Sequence, residues 1–301
     1  MGWCFSLLPA KIMGMEERLQ PPADPLHLKA GVDYPRSEAE FSSLLNTTEK
    51  CLALMAKLAE WPGARRCPTC RSEMKISSDP SIASCTNDKC SHQESLTQGT
   101  IFQRTRTDIA IWVFAAWLIV DTKDGLSAIR LADRLSIHPK AFRPIDTNLA
   151  RTMLQKYRKV MAGANSKELS DPVATGSVTL NRKKHPPATV RILVEDQGPG
   201  KLGRMRAHLV AEGDDSMPQS GSEQGSQEGV QPTRSVSPIQ PIVGRILKFL
   251  ADDYGGSVRS ENLQDYLDEF VFRWNHRGET NRGKVFCHLL AEAMNTKKPK
   301  P

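Results

Sequence analysis

The segment Cys67-Pro-Thr-Cys70, followed by Cys85-Thr-Asn-Asp-Lys-Cys90, decides the fold of its part of the chain. In each pair the short spacing bends the backbone so that two thiolates point the same way. A second pair placed opposite the first completes a tetrahedral shell, in which zinc binds four sulfurs at about 2.3 Å. The sequence therefore predicts a small β zinc ribbon over residues 61–98, with Cys67, Cys70, Cys85 and Cys90 as metal ligands.

Two other interpretations of these cysteines are weaker. Disulfides are disfavoured because no secretory signal is recognisable before them and because Cys4, Cys51 and Cys287 are scattered. His92 is close enough in sequence to replace a thiolate, but four thiolates already complete the shell. A solvent-facing His92 is therefore the favoured interpretation.

The bulk composition fits a chain of several small domains. Its 301 residues carry 41 Lys and Arg against 34 Asp and Glu, a net charge of +7, which permits a polyanionic partner such as nucleic acid. Apolar residues make up 39% and aromatic residues 6%, which disfavours one large core. The longest apolar run, residues 109–120, falls short of the roughly 20 residues that span a bilayer. We expect a cytoplasmic protein with reduced thiols and no membrane partner.

The chain before and after the cysteines divides by its periodicity. Residues 1–35 are rich in proline and predict a loose arm, whereas residues 36–60 have apolar positions at helical spacing with a break near Asn46-Thr47. After residue 164, residues 172–181 are short and polar, and alternation over 188–195 and 203–211 predicts a β-hairpin within residues 165–211. Low complexity predicts a disordered linker over 212–238, and helical spacing returns over 239–301.

Residues 99–164 predict a helical DNA-binding bundle. A helix over 107–121 is followed by a second one from Ser127, a turn over 136–139 and a further helix over 140–151. This is the pattern of a helix-turn-helix, and the region carries eleven Lys and Arg against five Asp. The alternative is a plain helical bundle with a solvated basic face. The residues expected to face inward on the second helix are Ile129, Leu131, Ala132 and Leu135.

Several motifs occur in one order along the chain: Trp61-Pro-Gly, Cys67-Pro-Thr-Cys70, Gly99-Thr-Ile-Phe102, Trp112, Gly125-Leu-Ser-Ala128 with Leu131-Ala132, and Tyr266-Leu-Asp-Glu-Phe-Val-Phe-Arg-Trp-Asn275 with Arg277. Together they resemble bacterial insertion-sequence transposases that carry an N-terminal zinc ribbon, a helix-turn-helix and a DDE-type, RNase-H-like domain. The resemblance covers about residues 34–162 and 240–290. It implies double-stranded DNA as partner, a homo-oligomer or a related transposase, and a place at the bacterial nucleoid.

The resemblance implies strand transfer by two Mg²⁺ ions about 4 Å apart, held by three acidic or amide side chains. Aligned on the segment 169–173, this chain has Gly176 at the place of the first Asp. The second falls in the linker, and Ile246 replaces the third, so that Lys248 is the one polar family position retained. We therefore expect an α+β multidomain protein with an incomplete RNase-H-like remnant that does not bind Mg²⁺ productively.

Other acids are weak substitutes. Acidic pairs at the ends of strands and helices are usually solvated surface. Asp268 and Glu269 belong to the helical motif, and Glu269 is expected to pair with Arg273 four residues along. The three acidic pairs in question are Glu195 with Asp196, Asp214 with Asp215, and Asp252 with Asp253.

The presumed recognition helix departs from the pattern at Pro144. Proline inside a helix costs roughly 3 kcal/mol, so this helix starts late or is kinked. Candidate DNA contacts are Lys140, Arg143, Arg151 and Lys156. The sequence favours a catalytically dead, transposase-like DNA-binding protein. Its rivals are an active transposase with a non-standard acid set and a zinc ribbon that binds protein.

Overall fold

The computed structural model has a mixed α+β fold with eight α-helices and two three-stranded sheets among the residues it describes. These residues are 28–61, 63, 66–170, 172–182, 185–198, 200–210, 239–252 and 258–295. The helices are α1 (Glu38–Leu44), α2 (Thr48–Leu58), α3 (Ile109–Asp121), α4 (Ala128–Ser136), α5 (Thr147–Ala164), α6 (Gln240–Asp252), α7 (Leu263–Asn275) and α8 (Arg282–Asn295). The strands are β1 (Met74–Ile76), β2 (Ile82–Cys85), β3 (Gln93–Ser95), β4 (Val173–Arg182), β5 (His185–Asp196) and β6 (Leu202–Leu209).

A first hydrophobic core is built around helix α3. This helix is apolar on every side, and a helix of that kind has to be surrounded by other elements. Helices α2, α4, α5 and α8 pack against it, and the rings of Phe41 and Trp117 meet within this core. The predicted break near Asn46-Thr47 is confirmed, because Thr47 caps the start of α2 with its side chain. None of the helices in the described ranges is long and apolar enough to cross a membrane.

A second core lies between α6, α7 and the antiparallel sheet β4-β5-β6. Residues 172–181, which read as short and polar in the sequence, contribute the strand β4 and make the predicted hairpin a three-stranded sheet. Its polar residues alternate with Ala174, Val178 and Leu180, which pack into the core. A strand with one solvated face has this alternation. Because every second residue is polar, a short strand of this kind resembles a polar segment in the sequence.

Helix α7 belongs to both cores. Phe272 packs into the first core, whereas Phe270 and Trp274 pack into the second. Helix α8 packs against α2, α3 and α5, so the C-terminal helices predicted over 239–301 divide between the two cores. Of the arm predicted over residues 1–35, residues 28–35 are described, and Tyr34 is buried in the first core. The rest of that arm and the linker predicted over 212–238 lie outside the described residues.

The connection between α4 and α5 differs from the prediction. A helix over 140–151 is wrong, because α5 begins at Thr147 and Pro144 precedes it. Prolines disfavour helical backbone in the residue before them, and Pro139 and Pro144 both fall in this connection. Ten residues therefore separate the two helices, whereas a helix-turn-helix has a turn of about 3–4 residues.

The inward face predicted for α4 is confirmed at three of its four residues. Leu131, Ala132 and Leu135 are buried, whereas Ile129 is 64% exposed. Its side chain lies on the solvent side of the helix, beside the exposed Arg130.

Candidate functional site

The four predicted metal ligands converge at one end of the sheet β1-β2-β3. Their sulfur atoms all lie within 4.8 Å of one another. The Sγ atoms of Cys67 and Cys90 are 3.7 Å apart, and those of Cys70 and Cys85 are 3.3 Å apart. A regular tetrahedron with bonds of 2.3 Å to a central metal requires about 3.8 Å between sulfurs. The predicted convergence is confirmed, and the cluster is able to hold one metal ion.

Short turns place the sulfurs at these positions. The backbone N–H of Cys67 donates to the carbonyl of Ser72 at 2.8 Å, which closes the first turn. Arg71 in that turn has a φ of 65°, a left-handed conformation that the tight bend imposes on a residue with a side chain. In the second turn, the N–H of Cys90 donates to the carbonyl of Asn87 at 2.8 Å. Because these bonds are local, the sequence spacing dictates the geometry within each pair.

Backbone N–H groups face each sulfur of the cluster. The N–H of Asn87 donates to the Sγ atom of Cys85 at 3.4 Å. The corresponding groups on the other three sulfurs belong to Thr69, Ser72 and His92. Hydrogen bonds from the side chain and backbone of Ser72 lower the pKa of Cys70 to about 6, whereas at Cys85 the bond from Asn87 is outweighed by burial and the neighbouring thiols, which raise its pKa to about 12. Such donors stabilise a thiolate, which is the form that ligates a metal.

The remaining described cysteines and His92 stay apart from the cluster. The Nε2 atom of His92 lies 3.4 Å from a carboxylate oxygen of Glu94, so the imidazole has a partner of its own. Cys51 and Cys287 are buried, and burial raises the pKa of Cys51 to about 12. The described cysteines form no disulfide. Cys4 lies outside the described residues.

The candidate DNA contacts fall into two groups. Lys140 and Arg143 lie in the connection between α4 and α5, and the exposed Arg151 lies one turn into α5. Lys156, in contrast, donates to the carbonyl of Ile101 at 2.6 Å, and its Nζ atom lies 5.0 Å from the centre of the Trp112 ring. The Lys156 amine is therefore bound within the fold, and the three other candidates, Lys140, Arg143 and Arg151, are left to contact DNA.

Two large apolar side chains are exposed within this basic connection, Ile137, which the sequence predicts as the apolar residue of the turn, and Phe142, which the sequence did not indicate. Ile137 is 74% exposed and Phe142 is 94% exposed. The exposure of Ile137 contradicts the packed apolar residue that the turn of a helix-turn-helix would contain. Each lies within three residues of Lys140, so apolar and cationic groups share one short segment.

Two of the positions that the resemblance to transposases assigns to catalysis, 176 and 246, carry no carboxylate. Gly176 lies on β4 opposite Ile192, and a Cβ atom added to it would lie 2.5 Å from the Cδ1 atom of Ile239. Ile246 is fully buried on the inner face of α6, and Lys248 is exposed. In this fold a glycine and an isoleucine serve the packing of the second core at these positions.

The acids that could substitute are used elsewhere. One carboxylate oxygen of Glu195 accepts the N–H of Ser170 at 2.9 Å, and the other accepts the N–H of Arg204 at 2.8 Å. Asp196 accepts the N–H of Gly198 in the turn before β6. Within the described residues, the four cysteines are the one group of three or more Cys, His, Asp or Glu side chains arranged to share a metal. Asp214 and Asp215, and the side chains of Asp252 and Asp253, lie outside that description.

Glu269 forms the predicted ion pair and a second one. Its Oε1 atom lies 2.9 Å from Arg273, which confirms the pairing four residues along the helix. Its Oε2 atom lies 2.8 Å from the Nε atom of Arg158 on α5. Although burial favours the neutral acid, the two arginines hold the pKa of Glu269 below its usual value. Burial raises the pKa of the neighbouring Asp268 to about 6.

No protein-family model, no curated protein and no solved structure matches this chain. The features that indicate a function are the cysteine cluster, the surface cations and the residues at the positions that the resemblance assigns to catalysis.

Proposed function

We propose that this chain is a zinc-binding, DNA-binding protein related to insertion-sequence transposases and that it does not transfer DNA strands. Its ancestry rests on the ordered motifs between Trp61 and Arg277. The proposal places it on the bacterial nucleoid, bound to the terminal repeats of a related element. The observation that carries the DNA-binding part is the group of surface cations between residues 140 and 151, of which Arg143 and Arg151 are exposed and Lys140 is half-buried.

Zinc is the metal that suits the cluster best. Four thiolates in a tetrahedron select zinc or iron, and zinc favours a closed shell of this kind in structural sites. The sulfur separations of 3.7 and 3.3 Å suit a single ion. Metal analysis of the purified chain by mass spectrometry tests the assignment, with one zinc per chain as the expected result.

Duplex DNA suits the surface cations. Lys140, Arg143 and Arg151 form no close ion pair within the described residues. The pKa of Glu49 is lowered first by hydrogen bonds from its own backbone N–H and from Thr47, and then by the nearby charge of Lys140. Contacts of Lys and Arg with phosphates release counterions and make binding fall steeply with salt. A ribbon that binds only a protein partner would not bind duplex DNA and would not show this salt dependence.

The test of DNA binding is a salt titration with a fluorescent duplex. We expect affinity to fall steeply between about 50 and 200 mM salt. Lys140→Ala with Arg143→Ala should weaken binding, whereas Lys284→Ala, an exposed lysine on α8, should not. No binding at low salt, or binding that salt does not change, would favour the protein-interaction rival.

The inactive chemistry follows from the number of ligands. Two-metal catalysis holds each ion with several oxygen ligands on rigid elements. Gly176 and Ile246 offer none, and Glu195 is occupied by two backbone N–H groups. Incubation with supercoiled DNA and Mg²⁺ should yield no nicked or joined product. Strand transfer dependent on Mg²⁺ would support the rival with a non-standard acid set.

A further inference from the structure

A polar cleft lies between helix α5 and the segment that leads into α7. It encloses about 550 Å³, and three arginines line it: Arg151 and Arg158 from α5, and Arg259 from just before the 3₁₀ turn Ser260–Asn262. Tyr266 and Asp265 from α7 also line the cleft. The cleft therefore combines side chains from two parts of the chain that are more than a hundred residues apart.

Arg158 is held rigidly in the floor of this cleft. Its side chain is 4% exposed, and its Nε atom lies 2.8 Å from Glu269. The guanidinium carbon lies 3.8 Å from the centre of the Tyr266 ring, so the plane is also stacked on an aromatic face. A guanidinium fixed in this way loses little conformational freedom when it binds an anion.

The charges around the cleft leave it positive. Glu269 faces both Arg158 and Arg273, so one buried carboxylate serves two guanidinium groups. Arg273 also donates to the carbonyls of Ile119 and Thr122 at the end of α3, which offsets part of its charge. At the rim, Arg151 and Arg259 are exposed and form no ion pair within the described ranges, and Asp265 is the one acid in the lining.

We propose that this cleft binds a phosphate group, and that the group belongs to the backbone of duplex DNA. Guanidinium groups match the geometry of phosphate oxygens with paired N–H donors, and a buried arginine flanked by two exposed ones can engage one phosphate from several sides. The volume also lies within the range of about 300–1,000 Å³ that small ligands occupy. This inference rests on the proposed function and extends the DNA contact from the α4–α5 connection to Arg259.

The test measures duplex binding and pyrophosphate binding on the same full-length, metal-loaded proteins. Arg151→Gln and Arg259→Gln remove exposed cations from the cleft, and their thermal unfolding should match that of the wild type. Lys159→Gln is the matched control, because Lys159 is exposed on α5 and does not line the cleft. We expect each cleft variant to weaken duplex binding and to reduce the salt slope by about 1, the value of one lost phosphate contact.

Pyrophosphate titration by calorimetry separates the two sources of the phosphate. If the cleft variants bind duplex like the wild type but lose pyrophosphate binding, the phosphate site stands and its ligand is a free phosphate compound. If they change neither measurement relative to Lys159→Gln, the inference is overturned. If the wild type binds no duplex, the proposed function is contradicted. The pyrophosphate titration of the wild type and the cleft variants then tests the phosphate site by itself.

Discussion

Glu269 on α7 and Arg158 on α5 lie 111 residues apart in sequence and meet in a buried ion pair, with 2.8 Å between Oε2 and Nε. Arg273 occupies the other oxygen of the same carboxylate. This carboxylate joins the first core to the helix that also serves the second core. One buried acid therefore serves the buried guanidinium of Arg158 and the half-buried guanidinium of Arg273.

Removing that acid should destabilise the protein strongly. Glu269→Ala leaves Arg158 and Arg273 without their common partner, and breaking a buried ion pair costs about 3–5 kcal/mol. We expect a loss of about this size in the free energy of unfolding, measured by urea denaturation. Glu261→Ala, at an exposed position of the 3₁₀ turn, should change stability little. Equal stability of the two variants would contradict the role assigned to Glu269.

Asp268 should make the protein more stable as the pH falls, which is opposite to the effect of an ordinary paired carboxylate. Burial raises its pKa to about 6 in the folded protein, whereas an unfolded Asp titrates near 3.9. The folded state binds this proton more tightly, so the Asp268 contribution to stability increases as pH falls from about 6 towards 4.

The comparison with Asp268→Asn isolates this contribution. Burial also lowers the pKa of His276 to about 4, so protonation of that imidazole destabilises the fold in the same pH range. The difference in unfolding free energy between the wild type and Asp268→Asn removes the histidine contribution. We expect Asp268→Asn to have a higher free energy of unfolding than the wild type at pH 7 and to lose this difference by pH 4. A difference that does not change with pH would show that Asp268 is not perturbed.

The cysteine cluster should control the stability of the first core. Cys67, Met74 and Ala83 are buried within it, so loss of the metal opens one side of the core. We expect Cys85→Ser or a strong chelator to remove the zinc and to increase hydrogen exchange over residues 66–95 before residues 173–209. Cys287→Ala, a buried cysteine outside the cluster, should keep the metal. Retention of zinc by Cys85→Ser would contradict the four-thiolate site.

Gly176→Asp should not restore catalysis and should disturb packing. The added side chain begins 2.5 Å from the Cδ1 atom of Ile239, and overpacking a core costs about 1–3 kcal/mol. We expect no strand transfer with Mg²⁺ and a lower unfolding temperature. The control is Gly244→Ala on α6, where a Cβ atom meets nothing within 4 Å and the helix should gain about 1 kcal/mol. Destabilisation that persists when Ile239→Ala is added would point to another cause.

The sequence predicted best the features that depend on local geometry. The cysteine spacing places the two sulfurs of each pair, because the turns that orient them are closed by hydrogen bonds within six residues, and the pairing of β1 with β2 brings the two turns together. The break between α1 and α2 was visible for a similar reason, since Ser37 and Thr47 cap the two helices. In the same way, the pairing of Glu269 with Arg273 needs one helical turn and no knowledge of the fold.

Features that depend on long-range packing were missed. The pairing of Arg158 with Glu269 requires α5 and α7 to be neighbours, which no local pattern indicates. The late start of α5 follows from two prolines, but the sequence alone left open whether the helix was kinked. The same limit applies to Arg259, whose place beside Arg151 depends on the packing of the two cores.

The packing of α8 against α2 and α3 has a consequence for how the protein is made. The rings of Phe41 and Phe286 lie 6.0 Å apart, edge to face, so the first core is completed by a helix that is translated long after α3. Until α8 leaves the ribosome, the apolar surface of α3 has no complete cover. We therefore expect the nascent chain to need chaperone protection during synthesis, and we expect a premature stop before residue 282 to send the product to proteases.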